Sequence, residues 1–441
     1  WYGDGFFYSR YPEPAKGEEL SGTNENSKVY YHKIGDMQEN DRLVYEDPSH
    51  PAWGFSAFVT DDKEILILST TESTKGNMLA FRKVTEDGKP FTSLVDNFEH
   101  DYFVIQHLNG ILYVMTDDGA PKYKLIAIDL KNPARENWKD VIPEKEEVLT
   151  SISMVGQKIV ANYMKDAHNV IQIFDLQGNY LYDLDMPILG TIMGFSGKVN
   201  DTETFYTVTS FTTPAIIYKY DIASNASVEY NRSAIDFDTS LYEVKQVFYA
   251  SKDGTKVPMF IVHKKGLKLD GTNPTLLYGY GGFNVSLTPT FSMSRLILLE
   301  NGFVYALANI RGGGEYGEEW HEAGTKMKKQ NVFDDFIAAA EYLTDQKYTS
   351  PKKLAVMGGS NGGLLIGAVI NQRPELFGAA IPQVGVMDML RYHKFTIGKY
   401  WAVDYGTSED SKEMFDYLHK YSPLHSIRND VEYPATLVMT A

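Results

Sequence analysis

The chain has 441 residues, 42 basic and 58 acidic, with a formal net charge of −16 and no cysteine. The acidic balance argues against nucleic acid or an anionic membrane as the main partner, and the missing cysteines exclude disulfides, thiolate metal sites and a cysteine nucleophile. No apolar run reaches the roughly 18 residues of a membrane span, and at about 150 residues per domain two or three domains are expected.

The chain opens on Trp1, with no initiator Met or leader, and closes inside the strand-like run Thr436 to Ala441. A piece of a longer protein is therefore expected, and the compartment stays open between cytosol and periplasm.

Residues 1 to 235 are rich in Tyr, Phe, Val, Ile and Thr, with short alternating runs between turn residues, which is β composition. Five such runs align: Val29 to Ile34, Leu79 to Val84, Leu125 to Leu130, Ile171 to Leu176 and Ile217 to Ile222. Their ends are spaced by 50, 46, 46 and 46 residues. A strand pair with a turn precedes the later runs, most clearly Tyr102 to Leu108, Asn109-Gly110 and Ile111 to Met115. Four strands every ~40–50 residues predict propeller blades, with a β-sandwich as the competing fold. About five blades are legible, the first incomplete.

From residue 236 to 441 the pattern changes. Lys245 to Ala250 and Val257 to His263 read as a hairpin. Apolar strands at Leu276 to Tyr278, Phe303 to Ile310, Lys353 to Met357, Ala379 to Gln383 and Thr436 to Thr440 then alternate with helical stretches. Phe333, Phe336, Ile337, Ala340 and Leu343 share one face of a helix over 332–343, and a second helix is expected over 361–371. This alternation predicts an α/β domain with a mostly parallel sheet.

Gly358-Gly359-Ser360-Asn361-Gly362-Gly363 follows a strand and opens a helix, which is the context a G-x-S-x-G nucleophile elbow requires. Ser360 is the candidate nucleophile. The helix start turns the Asn361 N–H toward a developing oxyanion. The earlier loop Gly279-Tyr280-Gly281-Gly282-Phe283 is placed to complete an oxyanion hole. Its glycines permit close backbone approach, and the Tyr280 hydroxyl can donate.

Gly312 to Gly317 also matches G-x-G-x-x-G. Glu315, Glu318 and Glu319 would repel a phosphate there, and the next helix is expected only near Val332, so no nucleotide site is predicted. His321-Glu322 lacks the second histidine of a zinc motif, and neither metal nor cofactor is expected. In this fold acid and base follow the nucleophile on later strands. Both triad partners, an Asp and a His, are therefore expected beyond Ala441. His393, His419 and His425 precede the last strand and are poor candidates for the base.

Tyr278 to Asn284, Ala308 to Gly317, Gly358 to Gly363 and Gln383 to Met389 together resemble the motifs of the prolyl oligopeptidase family, and the similarity runs over essentially the whole chain. The Asn after the serine favours this branch over oligopeptidase B and the acylaminoacyl and dipeptidyl peptidases. The resemblance implies a seven-bladed propeller capping an α/β-hydrolase domain, both incomplete here. It implies cleavage of short peptides after proline, with no cofactor and with the protein a monomer. It makes Ser360 the nucleophile, the Asn361 N–H and Tyr280 hydroxyl the oxyanion donors, and Phe283, Val386, Ile397, Trp401 and Tyr405 the proline pocket. Such an apolar slot suits a pyrrolidine ring without needing a charge.

One stretch departs from the family pattern. Leu68 to Glu72 puts Thr71 where better known members carry a substrate-binding arginine, so that role falls to another residue or is weaker. The chain as it stands is expected to be inactive without its acid and base. Two rival readings are a propeller binding protein with a degenerate hydrolase domain and a sister peptidase with another pocket.

Overall fold

The computed structural model describes residues 1–18, 22–235 and 237–440. Asp236, the expected first residue of the second domain, and Ala441, its expected last, lie outside them. The β-rich half forms five consecutive antiparallel sheets. The first has three strands, Gly5–Arg10, Lys28–Lys33 and Arg42–Glu46. The other four have four strands each and cover residues 54–95, 102–142, 148–184 and 191–232. Each run aligned by its spacing is the third strand of its four-stranded sheet, and the earliest is the middle strand of the three-stranded one.

Consecutive sheets share apolar layers, as blades must. Ile65, Ile67, Leu79 and Phe81 of one sheet pack against Leu112, Val114, Ile126 and Ile128 of the next. From that same sheet, Met115 and Leu125 face the other way, onto Ile152, Ile159 and Phe174. The period of two along each strand supplies both faces.

The second half is built on one seven-stranded sheet. In spatial order its strands are Tyr242–Ala250, Lys256–Lys264, Val304–Ala308, Thr275–Tyr278, Leu354–Gly359, Ala379–Gln383 and Ala435–Thr436. The first two are an antiparallel hairpin; from Val304–Ala308 onward all pairs are parallel. Both faces are buried. Val257, Met259 and Ile261 enter the core under the helices that follow, while Phe260 and Val262 enter a second layer with Leu296 and Leu299.

The helices are α1 (Met293–Glu300), α2 (Glu318–Glu322), α3 (Gln330–Asp345), α4 (Asn361–Gln372), α5 (Ala402–Tyr405) and α6 (Lys412–Tyr421). Helix α3 starts two residues earlier than expected and buries all five residues of its predicted face. The last strand is shorter than expected. It pairs only at Ala435–Thr436, with an isolated bridge from Met439 to Gln383, and Leu437 and Val438 are exposed. Among the described residues no helix is long and apolar enough to cross a membrane.

The chain reverses direction across the sheet twice, at two neighbouring strands. After Thr275–Tyr278 it moves to Val304–Ala308 on one side, then returns to Leu354–Gly359 on the other. Loops at the carboxyl ends of strands flanking such a switch point form a crevice. Tyr278 lies in register with Met357, so residues 279–283 and Ser360 leave the sheet side by side.

The propeller meets this half through several loops. Ala167 and Phe211 are buried with Phe260, Leu276 and Tyr305. The Tyr316 hydroxyl donates to Asp166 at 2.9 Å, the Glu318 N–H to the Pro121 carbonyl at 2.9 Å and the Tyr400 hydroxyl to the Ala52 carbonyl at 2.5 Å.

Candidate active site

Ser360 lies between the strand Leu354–Gly359 and helix α4 with φ +56° and ψ −116°. A non-glycine residue there costs roughly 1–3 kcal/mol, so its surroundings must hold it. The Ser360 N–H donates to the Gln383 carbonyl at 2.8 Å, and its carbonyl accepts the Gly363 and Leu364 N–H groups at 2.8 and 3.1 Å. A Cβ on Gly362 would come within 2.7 Å of the Gly279 carbonyl, so the turn packs this close only with glycine. The serine side chain is left exposed at the helix start.

The loop at 279–283 is clamped to the residue after the serine. Asn361 is 1% exposed; its amide nitrogen donates to the Tyr280 carbonyl at 2.6 Å. Its amide oxygen accepts from the Lys329 ammonium at 3.1 Å and the Tyr405 hydroxyl at 2.9 Å. Lys329, also 1% exposed, donates to the Gly281 carbonyl at 2.9 Å. Burial pulls its pKa down to about 8, against the attraction of Asp404. A Cβ on Gly282 would lie 2.6 Å from the Asn361 side chain. Burial pushes the Tyr280 phenol pKa up, and the nearby Ser360 hydroxyl acts against that rise. Tyr280, Asn361 and Ser360 are thus one unit.

Three of the five expected pocket residues, Phe283, Tyr405 and Trp401, are linked through ring contacts. The Phe283 and Tyr405 rings meet edge to face at 5.3 Å. Val386 and Trp401 are half-buried against the same core. Ile397 sits in the turn before Trp401, 45% exposed and outside that core. Tyr392, which the sequence did not single out, backs the wall: it stacks with Trp401 at 6.3 Å and meets Tyr405 edge-on at 5.3 Å. Its hydroxyl is anchored on the Gly406 carbonyl at 2.6 Å.

Among the described residues no histidine is hydrogen-bonded to Ser360. His425 contacts the Ser422 hydroxyl at 2.9 Å, His393 lies 3.5 Å from Glu409, and His419 stacks on Phe415.

The segment after Gly312 differs from expectation in two respects. Helix α2 begins directly at Glu318, where none was expected before Val332. Two of the three glutamates, Glu315 and Glu318, are also buried instead of facing outward as a repulsive cluster, and Glu319 alone is exposed. Burial raises the Glu315 pKa to about 7, although it accepts the Leu287 N–H at 2.9 Å. Burial likewise disfavours charge on Glu318, but His321 and the propeller's Lys75 outweigh it and hold the carboxyl down to about 2.

His321, weighed in the sequence only as an incomplete zinc motif, contacts Glu318 at 2.9 Å through Nδ1 and Asp404 at 2.7 Å through Nε2. Asp404 in turn accepts the Phe283 N–H at 2.9 Å. Lys329, His321 and Asp404 carry no local signature. Only the polar gap they leave in apolar or helical stretches could have flagged them. Thr71 ends the strand Ile65–Thr71, and the next cation along, Lys75, is engaged by Glu318 at 2.5 Å and Glu322 at 3.3 Å.

Comparison with known proteins shows the family of both halves. Residues 1–232 match the profile described as prolyl oligopeptidase, N-terminal beta-propeller domain, and residues 289–441 the profile of the prolyl oligopeptidase family. A prolyl endopeptidase of Elizabethkingia meningoseptica is 46% identical over all of this chain and 62% of its own length. A solved structure from a study of two prolyl endopeptidases superposes with TM-score 0.93 at 43% identity, over 99% of this chain and 64% of that one. Prolyl oligopeptidase B of Galerina marginata, bound to a 25mer macrocyclization substrate, superposes with TM-score 0.94 at 37% identity, over 99% of this chain and 62% of that one. The chain thus spans a little over three fifths of the length of these relatives.

Proposed function

This chain belongs to the prolyl oligopeptidase family, and from that premise we propose that it carries the nucleophile and specificity pocket of a serine endopeptidase. The enzyme cuts short peptides on the carboxyl side of proline and works as a monomer. The observation that carries the reading is the strained Ser360, exposed at the switch point beside the Tyr280 hydroxyl.

Ser360 Oγ attacks the proline carbonyl carbon as its proton passes to a histidine base. The carbonyl oxygen becomes an oxyanion that accepts from the Asn361 N–H and the Tyr280 hydroxyl. The C–N bond then breaks, the amine leaves with the proton from the histidine, and an acyl-serine remains. Water hydrolyses that ester by the same route in reverse.

The acid and base follow the strand Ala435–Thr436 in this reading, beyond Ala441. The pyrrolidine ring enters between Phe283, Val386, Trp401 and Tyr405, where no charged side chain is needed. The supporting observations are the edge-to-face pair Phe283–Tyr405 and the hydrogen bond from Tyr405 to the residue that follows the nucleophile.

The test is hydrolysis of a chromogenic Gly-Pro substrate by the complete reading frame that contains this chain. Turnover with proline strongly preferred over arginine and alanine is expected. Binding of proline peptides without any turnover would favour the degenerate-hydrolase reading, and a preference for arginine the sister peptidase.

A further inference from the structure

The His321 site has a proton count fixed by its geometry. Each ring nitrogen faces a carboxylate oxygen, at 2.9 Å on Glu318 and 2.7 Å on Asp404. Ionised carboxylates only accept, so both ring nitrogens must donate, and the ring carries its charge. Lys75, its side chain 28% exposed, meets the same Glu318 oxygen at 2.5 Å, so two cations and two anions alternate in a line that is buried from Glu318 inward. The ring is 6% exposed, so losing one member leaves a charge without its partner.

The two ends of this line differ in what they hold. Lys75 belongs to the propeller loop between the strands Ile65–Thr71 and Met78–Lys83. At the other end, Asp404 Oδ2 accepts the N–H of Phe283, whose backbone sits at φ +56° and whose ring meets Tyr405. A strained aromatic residue in a glycine-rich loop keeps its place only through such ties. We propose that the line Lys75–Glu318–His321–Asp404 is a positioning device that ties the wall of the substrate pocket to the propeller, with His321 as its central link. This rests on the reading of Phe283 and Tyr405 as the proline pocket.

When propeller and hydrolase domain separate, Lys75 leaves Glu318. The remaining three groups then carry a net negative charge, and the hold on Phe283 weakens. Deprotonation of His321 acts in the same direction, because one ring nitrogen then presents a lone pair to a carboxylate. Burial alone would lower the His321 pKa, but Asp404 and Glu318 carry it up to about 9. The charged groups around it are Glu318 and Glu322 on α2, Asp404 on α5, Lys329 before α3, and Lys75 and Asp117 on the propeller.

The test uses the 441-residue chain and two probes, benzyloxycarbonyl-Gly-Pro and benzyloxycarbonyl-Gly-Ala. Hydrogen exchange of the segment holding the Phe283 amide is read beside the ratio of the two dissociation constants. Both are measured from about pH 7 to about pH 10 in the parent chain, Lys75→Met, His321→Gln and a control, Lys124→Met, whose partner is the half-exposed Asp140. Exchange at Phe283 rises about tenfold in Lys75→Met and His321→Gln and stays unchanged in the control. The proline preference falls by a similar factor in both. In the parent chain it declines as pH passes about 9, whereas in His321→Gln it is flat.

Lys75→Met decides alone where His321→Gln fails to fold. Unchanged exchange and unchanged preference in Lys75→Met overturn the positioning device and leave the proline reading standing. Faster exchange in Lys75→Met, in a parent chain that never prefers proline, keeps the device and sinks the proline reading.

Discussion

The Tyr405 hydroxyl donates to the Asn361 amide oxygen at 2.9 Å, joining the proposed proline pocket to the residue that follows the proposed nucleophile. Both residues are 1% exposed. The oxygen has one other donor, Lys329. Tyr405→Phe keeps the ring in place and removes one of two donors to a buried acceptor. Its cost should be about 1 kcal/mol, read as a lower urea midpoint with an unchanged slope. In the complete enzyme kcat/KM for a proline substrate should fall several-fold.

Lys329→Met tests the clamp on the oxyanion loop. The variant fills the same space but strands the Gly281 carbonyl and half-strands Asn361, at a cost of about 2–3 kcal/mol by urea unfolding. A loss below about 0.5 kcal/mol would show that the ammonium does not hold these two groups together.

Stability should fall as pH rises from about 6.5 toward 9, through His321. Below the unfolded pKa of about 6.5 both states hold the proton and the full contribution is present. Between that value and 9 only the folded state keeps it, so each step up in pH favours the unfolded chain. Lys329 acts with the opposite sign above about 8, where the folded state releases a proton that the unfolded chain retains. Glu315, with its pKa raised to about 7, adds a slope of the same sign below that value, so the His321 slope is cleanest between pH 7 and 8, and it should vanish in His321→Gln.

The tight strand-to-helix turn at Ser360 and the propeller repeat were legible because each is local. Glycine spacing around Ser360 fixes a turn, and a 46-residue spacing fixes a blade. All five pocket residues were carried over by resemblance, and of these Ile397, 45% exposed, packs least well. The charged line through His321 was not legible. Lys75 and Glu318 are 243 residues apart, and His321 and Asp404 are 83 apart. In sequence, Glu315 and Glu318 read as free negative charge. Burial and pairing reverse that reading, and neither can be seen before the domains meet.

Trp401→Ala should lower kcat/KM for cleavage after proline by about 1–3 kcal/mol equivalent, through lost aromatic packing in the slot. Tyr392, stacked behind the indole, limits how far the wall collapses to compensate. Equal rates on proline substrates in the variant and its parent would remove Trp401 from the pocket.

The central claim is that Ser360 is the nucleophile. It is tested most directly by mass spectrometry of the complete enzyme after a fluorophosphonate, with proline-substrate turnover measured in Ser360→Ala. The account predicts one adduct, on the peptide containing Ser360, and a loss of roughly 10³-fold or more in kcat for the variant. An adduct on another serine, or turnover by Ser360→Ala near that of its parent, would contradict it.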